Sequence, residues 1–266
     1  MIIQPFTASD FPALKDFQPP GWPDILPSMR FYVEASYCYP VKVSIGKQLT
    51  GIGAAILHKN SGWLAHIIVH PEYRNKGIGT FITDELVALL RKLHIPSILL
   101  IASMQGESLY RKLIFTKEAE YPAFKNEQGP LPPRPCQYVT HYEDRFKKEV
   151  FALDRFVSGE LRQKLLTAHL PTSRLHVLNN ELDGCYFPFL GEGLILARNN
   201  AAGLDLMHDK HTSVTRAVIP AENRAGIDFL LSNNFIEASR GARMWLGKPV
   251  QWKPENLYSR IGGNLG

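Results

Sequence analysis

An arginine, a lysine and two glycines fall within seven positions, Arg74-Asn75-Lys76-Gly77-Ile78-Gly79-Thr80, and these residues are the best placed in the chain to do chemistry. Before them runs an apolar stretch rich in β-branched residues (Ile67, Ile68, Val69) that ends at Pro71. After them comes an amphipathic stretch with Phe81, Ile82, Leu86, Leu89 and Leu90 on one face. The pattern predicts strand, loop and helix N-terminus. Consecutive backbone N–H groups, glycines that allow close approach and the cations Arg74 and Lys76 then meet at the positive end of a helix. Such a place binds an anion, most naturally a phosphate or pyrophosphate. The helix end itself contributes modestly, about 0.3–1 kcal/mol. A P-loop is excluded because Lys76 precedes Gly77, and the dinucleotide fingerprint because position 82 is isoleucine where a third glycine is required. What remains is the pattern Arg/Gln-x-x-Gly-x-Gly/Ala, met by Arg74, Gly77 and Gly79, with Val69, Pro71 and Tyr73 ahead of it.

In that form the stretch closely resembles the coenzyme A loop of the GNAT acetyltransferases. The resemblance implies acetyl-CoA as the cofactor, its pyrophosphate held by Arg74, Asn75, Lys76, Gly77, Ile78, Gly79 and Thr80. It also implies that Ile67, Ile68 and Val69 offer main-chain groups to the pantetheine arm. In Ser103-Met-Gln-Gly106-Glu-Ser108-Leu-Tyr110-Arg-Lys-Leu-Ile-Phe115, Tyr110 occupies the place of the family's tyrosine. By resemblance it is the general acid that protonates the leaving thiolate; the plainer alternative is a helix tyrosine packed on the sheet. Ser108 either touches the cofactor arm or is a solvated helix residue. Ile114 stands where glycine usually ends this helix, and a β-branched residue resists the left-handed conformation, so a differently built turn is expected. His66 is a candidate base for the incoming ammonium, or else it packs under a helix; Glu34 and water-mediated deprotonation stay open. His70, ahead of Pro71, is expected to shape the turn. Trp22 is expected to plug the core more than to line a pocket.

Positioning these residues takes an α/β order with a mixed sheet flanked by helices. The patterns predict strands at 1–6, 41–44, 49–57, 63–69, 97–102 and 115–121, and helices at 11–17, 24–36, 77–93 and 107–113. The segment 126–135 holds four prolines (Pro130, Pro132, Pro133, Pro135) and sustains neither helix nor central strand, so it reads as a joint. After it come helical patterning at 146–169, strands at 174–179, 184–189 and 193–197, a helix at 201–208, a strand at 213–219, a helix at 221–233 and a strand at 236–246. Ser103, Gly106, Leu109 and Phe115 have counterparts 120 positions later in Asn223, Gly226, Phe229 and Phe235. That offset, inside the same element order, predicts a duplicated fold.

The second half resembles the degenerate C-terminal domain of some tandem GNAT proteins. Leu153-Asp154, Gly159, Arg162 and Leu165-Leu166 fit its opening, Gly193, Ala197 and Leu206 its middle, and Arg243-Met244 its close, although Leu194 replaces a usual proline. The expected organisation is a catalytic domain at 1–126, a proline-rich linker at 127–140 and a degenerate, non-catalytic domain at 141–266. The offset puts Leu230 where the first half has Tyr110, and leucine donates no proton.

Composition bounds the alternatives. At 266 residues, 45% hydrophobic and 21% charged, the chain has the make-up of a soluble globular protein with room for two domains. A formal charge of +5 without a basic run argues against nucleic acid. No apolar stretch reaches membrane-span length and the N-terminus lacks signal-peptide character, so a cytoplasmic location is expected. The three cysteines are odd in number and widely spaced, which suggests reduced thiols. His66 and His70 lie in an extended stretch, His208 and His211 read as a helix end and solvated loop, and no metal site is expected. The expected activity is N-acetylation of a small-molecule or peptide amine, without nucleic-acid or membrane partners. The alternative is a catalytically inactive coenzyme A-binding sensor or interaction module. The acceptor amine and the oligomeric state are not legible.

Overall fold

The computed structural model describes residues 1–266. In chain order the elements are β1 Ile2–Pro5, α1 Leu26–Glu34, β2 Cys38–Ile45, β3 Gln48–Leu57, β4 Gly62–Val69, α2 Ile78–Lys92, β5 Ser97–Ser103, α3 Glu107–Lys112 and β6 Thr116–Lys125. The second half continues with β7 Val139–His141, α4 Lys147–Ser158, α5 Gln163–Thr167, β8 Arg174–Leu178, β9 Glu181–Phe187, β10 Leu194–Ala197, α6 Asn200–His211, β11 Arg216–Val218, α7 Arg224–Ser232, β12 Ile236–Gly247 and β13 Leu257–Ser259. Helical patterning at 146–169 resolves into two helices separated by Gly159 in the left-handed region. The short strands β7 and β13 carry no alternation that the sequence betrayed. None of the helices is long and apolar enough to cross a membrane.

One sheet of eight strands runs β1-β2-β3-β4-β5-β12-β6-β11, and a second of five runs β13-β10-β9-β8-β7. Helices flank both, but only the first is mixed, through the parallel pair β4–β5; the five-stranded sheet is antiparallel throughout, which corrects the expectation of a mixed sheet in each half. The first draws strands from both halves: β12 lies between β5 and β6, antiparallel to each, and β11 closes the edge on β6. The sequence offset explains the order. Gly241 stands 120 positions after Tyr121, and these two residues face each other across the β6–β12 ladder. A local two-fold therefore passes through that pair, and each half lends one strand, β6 or β12, to lie beside the other's. Arg240 and Glu120, again 120 apart, join across the same ladder at 2.8 Å.

The joint at 127–140 thus separates two sequence halves without separating two sheets. The cores agree. The largest apolar cluster holds Met29, Tyr32 and Trp63 together with Val150, Leu153 and Leu194, and the cluster under α2 includes Ala242 and Met244 of β12. A buried polar clamp joins the halves further. Glu160 accepts from Trp63 Nε1 at 2.8 Å and from Ser61 Oγ, Arg162 pairs with Asp154 at 2.5 Å, and Arg243 pairs with Glu118 at 2.5 Å. Breaking one member of such a buried pair costs about 3–5 kcal/mol, because its partner is left charged in the interior.

Helix α2 is set by its stripe Ile78, Ile82, Leu86 and Leu90, all buried. The stripe lies close on β3, where a Cβ at Gly51 or Gly53 would come within 2.6–2.7 Å of Ile82. This contact aims the N-terminus of α2 at the end of β4.

Candidate active site

β4 and β5 run parallel but pair only at Gly62–Ile98 and Trp63–Leu99. Beyond that β4 continues to Val69 and β5 to Ser103 with no ladder between them, so a cleft opens. On its other side β4 bulges. Ala65 faces Ala54 and Ile68 faces Ile52, leaving His66 and Ile67 opposite Gly53, with His66 at φ 46°. Ile68 is buried, and Ile67 and Val69 are half-buried along the cleft wall.

The loop from Arg74 to Thr80 closes the end of the cleft. Asn75 and Gly77 adopt left-handed φ of 60° and 79°, and α2 starts without a side-chain cap. The first helical bond is donated by Phe81 to Gly77 O, so the six N–H groups of Asn75, Lys76, Gly77, Ile78, Gly79 and Thr80 have no acceptor in the chain. Arg74 Nε donates to Val69 O at 3.3 Å, and Lys76 Nζ donates to Glu72 O at 3.1 Å. His70 shapes the turn as expected, with Nδ1 accepting from Glu72 N at 3.4 Å. Gly79 is not demanded by packing, since a Cβ there would make only ordinary contacts with Leu109 at 3.5 Å and Val69 at 3.7 Å. The same contact shows α3 leaning on the start of α2.

Tyr110, on α3, sits with the apolar cluster under α2, its ring 5.8 Å from Phe115. Burial pushes its hydroxyl up to about 12, so it stays protonated at neutral pH. Its Oη has no partner within the chain. Ser108 is exposed. The turn after α3 corrects one expectation: Ile114 does take the left-handed conformation, at φ 65°. Phe115 N donates to Tyr110 O at 3.0 Å and Ile114 N to Arg111 O at 3.1 Å, the bonds a glycine would allow.

His66 lies on the other face of β4, toward α1. Asn264 Nδ2 donates to Tyr32 Oη at 2.6 Å, and Tyr32 Oη lies 2.8 Å from His66 Nδ1. With Asn264 as donor, the Tyr32 proton goes to Nδ1 and the imidazole carries its own proton on Nε2. Burial lowers the His66 pKa to about 4. The ring is thus a neutral hydrogen-bond donor, poorly suited to take a proton from an ammonium. Trp22 does not plug the core: it is 46% exposed, its ring 6.1 Å from His66. Tyr32 and Asn264 escaped the sequence reading because 232 positions separate them. Glu34 is exposed at the end of α1.

In the second half the equivalent places are filled. β13 pairs with β10 through Ile195–Ser259 and Leu196–Leu257, where β4 has no partner. Asn199 caps α6 by accepting from Ala202 N at 3.0 Å, and Tyr258 lies against Gly203 in the first turn. Leu230, in the place of Tyr110, is fully buried. His211 departs from the solvated loop expected of it. It is 1% exposed, its Nδ1 donates to Val214 O at 2.7 Å, and burial lowers its pKa to about 4.

Residues 31–117 match the family model of the acetyltransferase (GNAT) domain. Comparison with curated proteins yields no match. Among solved structures, a putative acetyltransferase from Pyrococcus horikoshii is similar over 100% of this chain and 95% of its own, at 20% identity and a TM-score of 0.85. A GCN5-related N-acetyltransferase from Sphaerobacter thermophilus is similar over 94% of this chain and 97% of its own, at 14% identity and a TM-score of 0.62. At these identities the likeness speaks for the fold, which extends across both halves. With the family match centred on β4, the loop and α2, residues 31–117 have the pattern of a GNAT acetyltransferase domain.

Proposed function

We propose that the chain moves an acetyl group from acetyl-CoA to a primary amine in the β4–β5 cleft, with all the chemistry in the first half. The observation that carries the reading is the run of six N–H groups from Asn75 to Thr80 without acceptors, flanked by Arg74 and Lys76. They suit the pyrophosphate, and β4 at Ile67, Ile68 and Val69, which has no strand partner on the β5 side, suits the pantetheine amides. The neutral amine nitrogen attacks the thioester carbonyl carbon, the C–S bond breaks, Tyr110 gives its proton to the departing thiolate, and the proton shed by the acylated nitrogen restores the tyrosine through solvent. A hydroxyl held near 12 keeps its proton until that charge develops. His66, with Nδ1 engaged by Tyr32, acts as a positioning donor, and deprotonation of the ammonium falls to water. The second half, with β13 lying on β10, completes the fold and binds no second acetyl-CoA.

The test is thiol release from acetyl-CoA over an amine panel, paired with calorimetric titration of acetyl-CoA. Wild type should bind one acetyl-CoA per chain and turn over. Gly79→Glu, which packing tolerates, should lose binding through repulsion of the pyrophosphate. Tyr110→Phe should keep affinity and lower turnover by about 10²-fold. Unchanged turnover in Tyr110→Phe removes the acid assignment. Binding without transfer to any amine favours the inactive coenzyme A-binding module.

A further inference from the structure

Three side chains with no part in acetyl transfer converge in the second half. Cys136 comes from the proline-rich joint, His176 from β8 and Asp205 from α6. One potential ligand atom from each lies within 4.8 Å of the other two. Asp205 Oδ2 is shared, 3.2 Å from Cys136 Sγ and 3.4 Å from His176 Nε2. The His176 side chain is only 4% exposed, yet neither ring nitrogen has a hydrogen-bond partner. Leaving such groups unmatched costs about 1–3 kcal/mol apiece, so a buried imidazole aimed at a thiol and a carboxylate calls for a ligand.

The surroundings favour a cation. Arg134 holds the other Asp205 oxygen at 2.8 Å, which turns Oδ2 inward. Asp183 Oδ2 stands 3.9 Å from His176 Nδ1, the side on which a carboxylate orients a metal-bound imidazole. Two ligands of a tetrahedral zinc ion, at bond lengths of about 2.0–2.3 Å, stand roughly 3.5 Å apart. The two spacings to Asp205 Oδ2, 3.2 and 3.4 Å, fall just short of that value, and the thiol and imidazole lie within 4.8 Å of each other.

We propose that Cys136, His176 and Asp205 bind one divalent transition-metal ion, zinc by the chemistry of a sulfur, nitrogen and oxygen donor set. Three protein ligands leave a fourth position for solvent. On binding, the Cys136 S–H bond gives way to a metal–thiolate bond and one proton is released; nothing is oxidised or reduced. The ion fastens the joint between the halves to β8 and α6. The sequence concealed the set because its members are 40 and 29 positions apart and match no metal-binding spacing.

The experiment is a Co2+ titration of full-length, chelator-treated protein kept reduced, read by thiolate-to-cobalt charge-transfer absorption. One Co2+ per chain should give that band, Zn2+ should displace it and Mg2+ should not. Cys136 and Asp205 are partly exposed, so Cys136→Ser and Asp205→Asn are the variants of choice. The first should abolish the band and the second should weaken binding at least tenfold. Zn2+ should also raise the melting temperature of wild type but not of Cys136→Ser, with native circular dichroism in both. Absence of the band in wild type, or its persistence in Cys136→Ser, overturns the site.

Discussion

Ile114→Asn should make this protein more stable. Ile114 is held at φ 65° with its side chain 79% exposed. A left-handed conformation costs an L-residue about 1–2 kcal/mol, and a β-branched one is among the worst suited. The exposed side chain buries little in return. Asparagine tolerates the same backbone, and the protein already uses it: Asn234, 120 positions on, sits at φ 64°. There Phe235 N donates to Leu230 O at 3.0 Å, the counterpart of Phe115 N to Tyr110 O. Removing the strain should therefore gain about 1 kcal/mol. At ~2.1 cal/mol/K of unfolding entropy per residue, a chain of this length gains only about 2 °C from 1 kcal/mol. The urea midpoint, followed by tryptophan fluorescence, is the sharper assay. Asn234→Ile is the mirror control and should lose a similar amount. Because the turn's hydrogen bonds are already made, Ile114→Asn should leave turnover where it was. A loss of stability in Ile114→Asn, together with no loss in Asn234→Ile, would refute the argument that the repeated turn imposes the left-handed backbone on position 114.

Two further outcomes follow from the same physics. The segment 1–126 alone should not fold as a monomer, because removing β12 exposes the facing edges of β5 and β6; a cooperative, monomeric melt would show that the first half is autonomous. His58, His66 and His211 are each lowered to about 4, chiefly by burial, so below pH 6.5 the unfolded chain takes up protons that the folded one refuses. Their contribution is complete above pH 6.5 and shrinks toward pH 4, by up to about 3 kcal/mol for each histidine. The urea midpoint should already fall between pH 6.5 and 5, and a flat midpoint over that window would mean that these rings are hydrated.

Much of the first half is legible because its information is local. The strand, the glycine turn and the helix stripe are consecutive, and period and turn chemistry act over a few residues. The turn at Ile114 misled for a related reason: local preference opposed the left-handed residue, and the packing of α3 and β6 on either side prevailed. His66 is a different case. Its residue type suits a base, but its protonation depends on Tyr32 and Asn264, which meet it only in three dimensions. Trp22 and His211 traded places, the first exposed and the second buried, because burial is decided by neighbours from other elements.

The sequence alone determined that a strand, a glycine turn and a helix follow one another and that a set of residues recurs on an offset of 120. Both are written in spacing, which survives without a fold. The tertiary structure decided how the two copies meet. An edge strand carries unpaired N–H and C=O groups that any complementary strand can satisfy, and no pattern within β12 says whose edge it will be. Here β12 takes the gap between β5 and β6, while β13 covers the place in the second half that stays open in the first. That division between an open cleft and a filled one arises from long-range pairing.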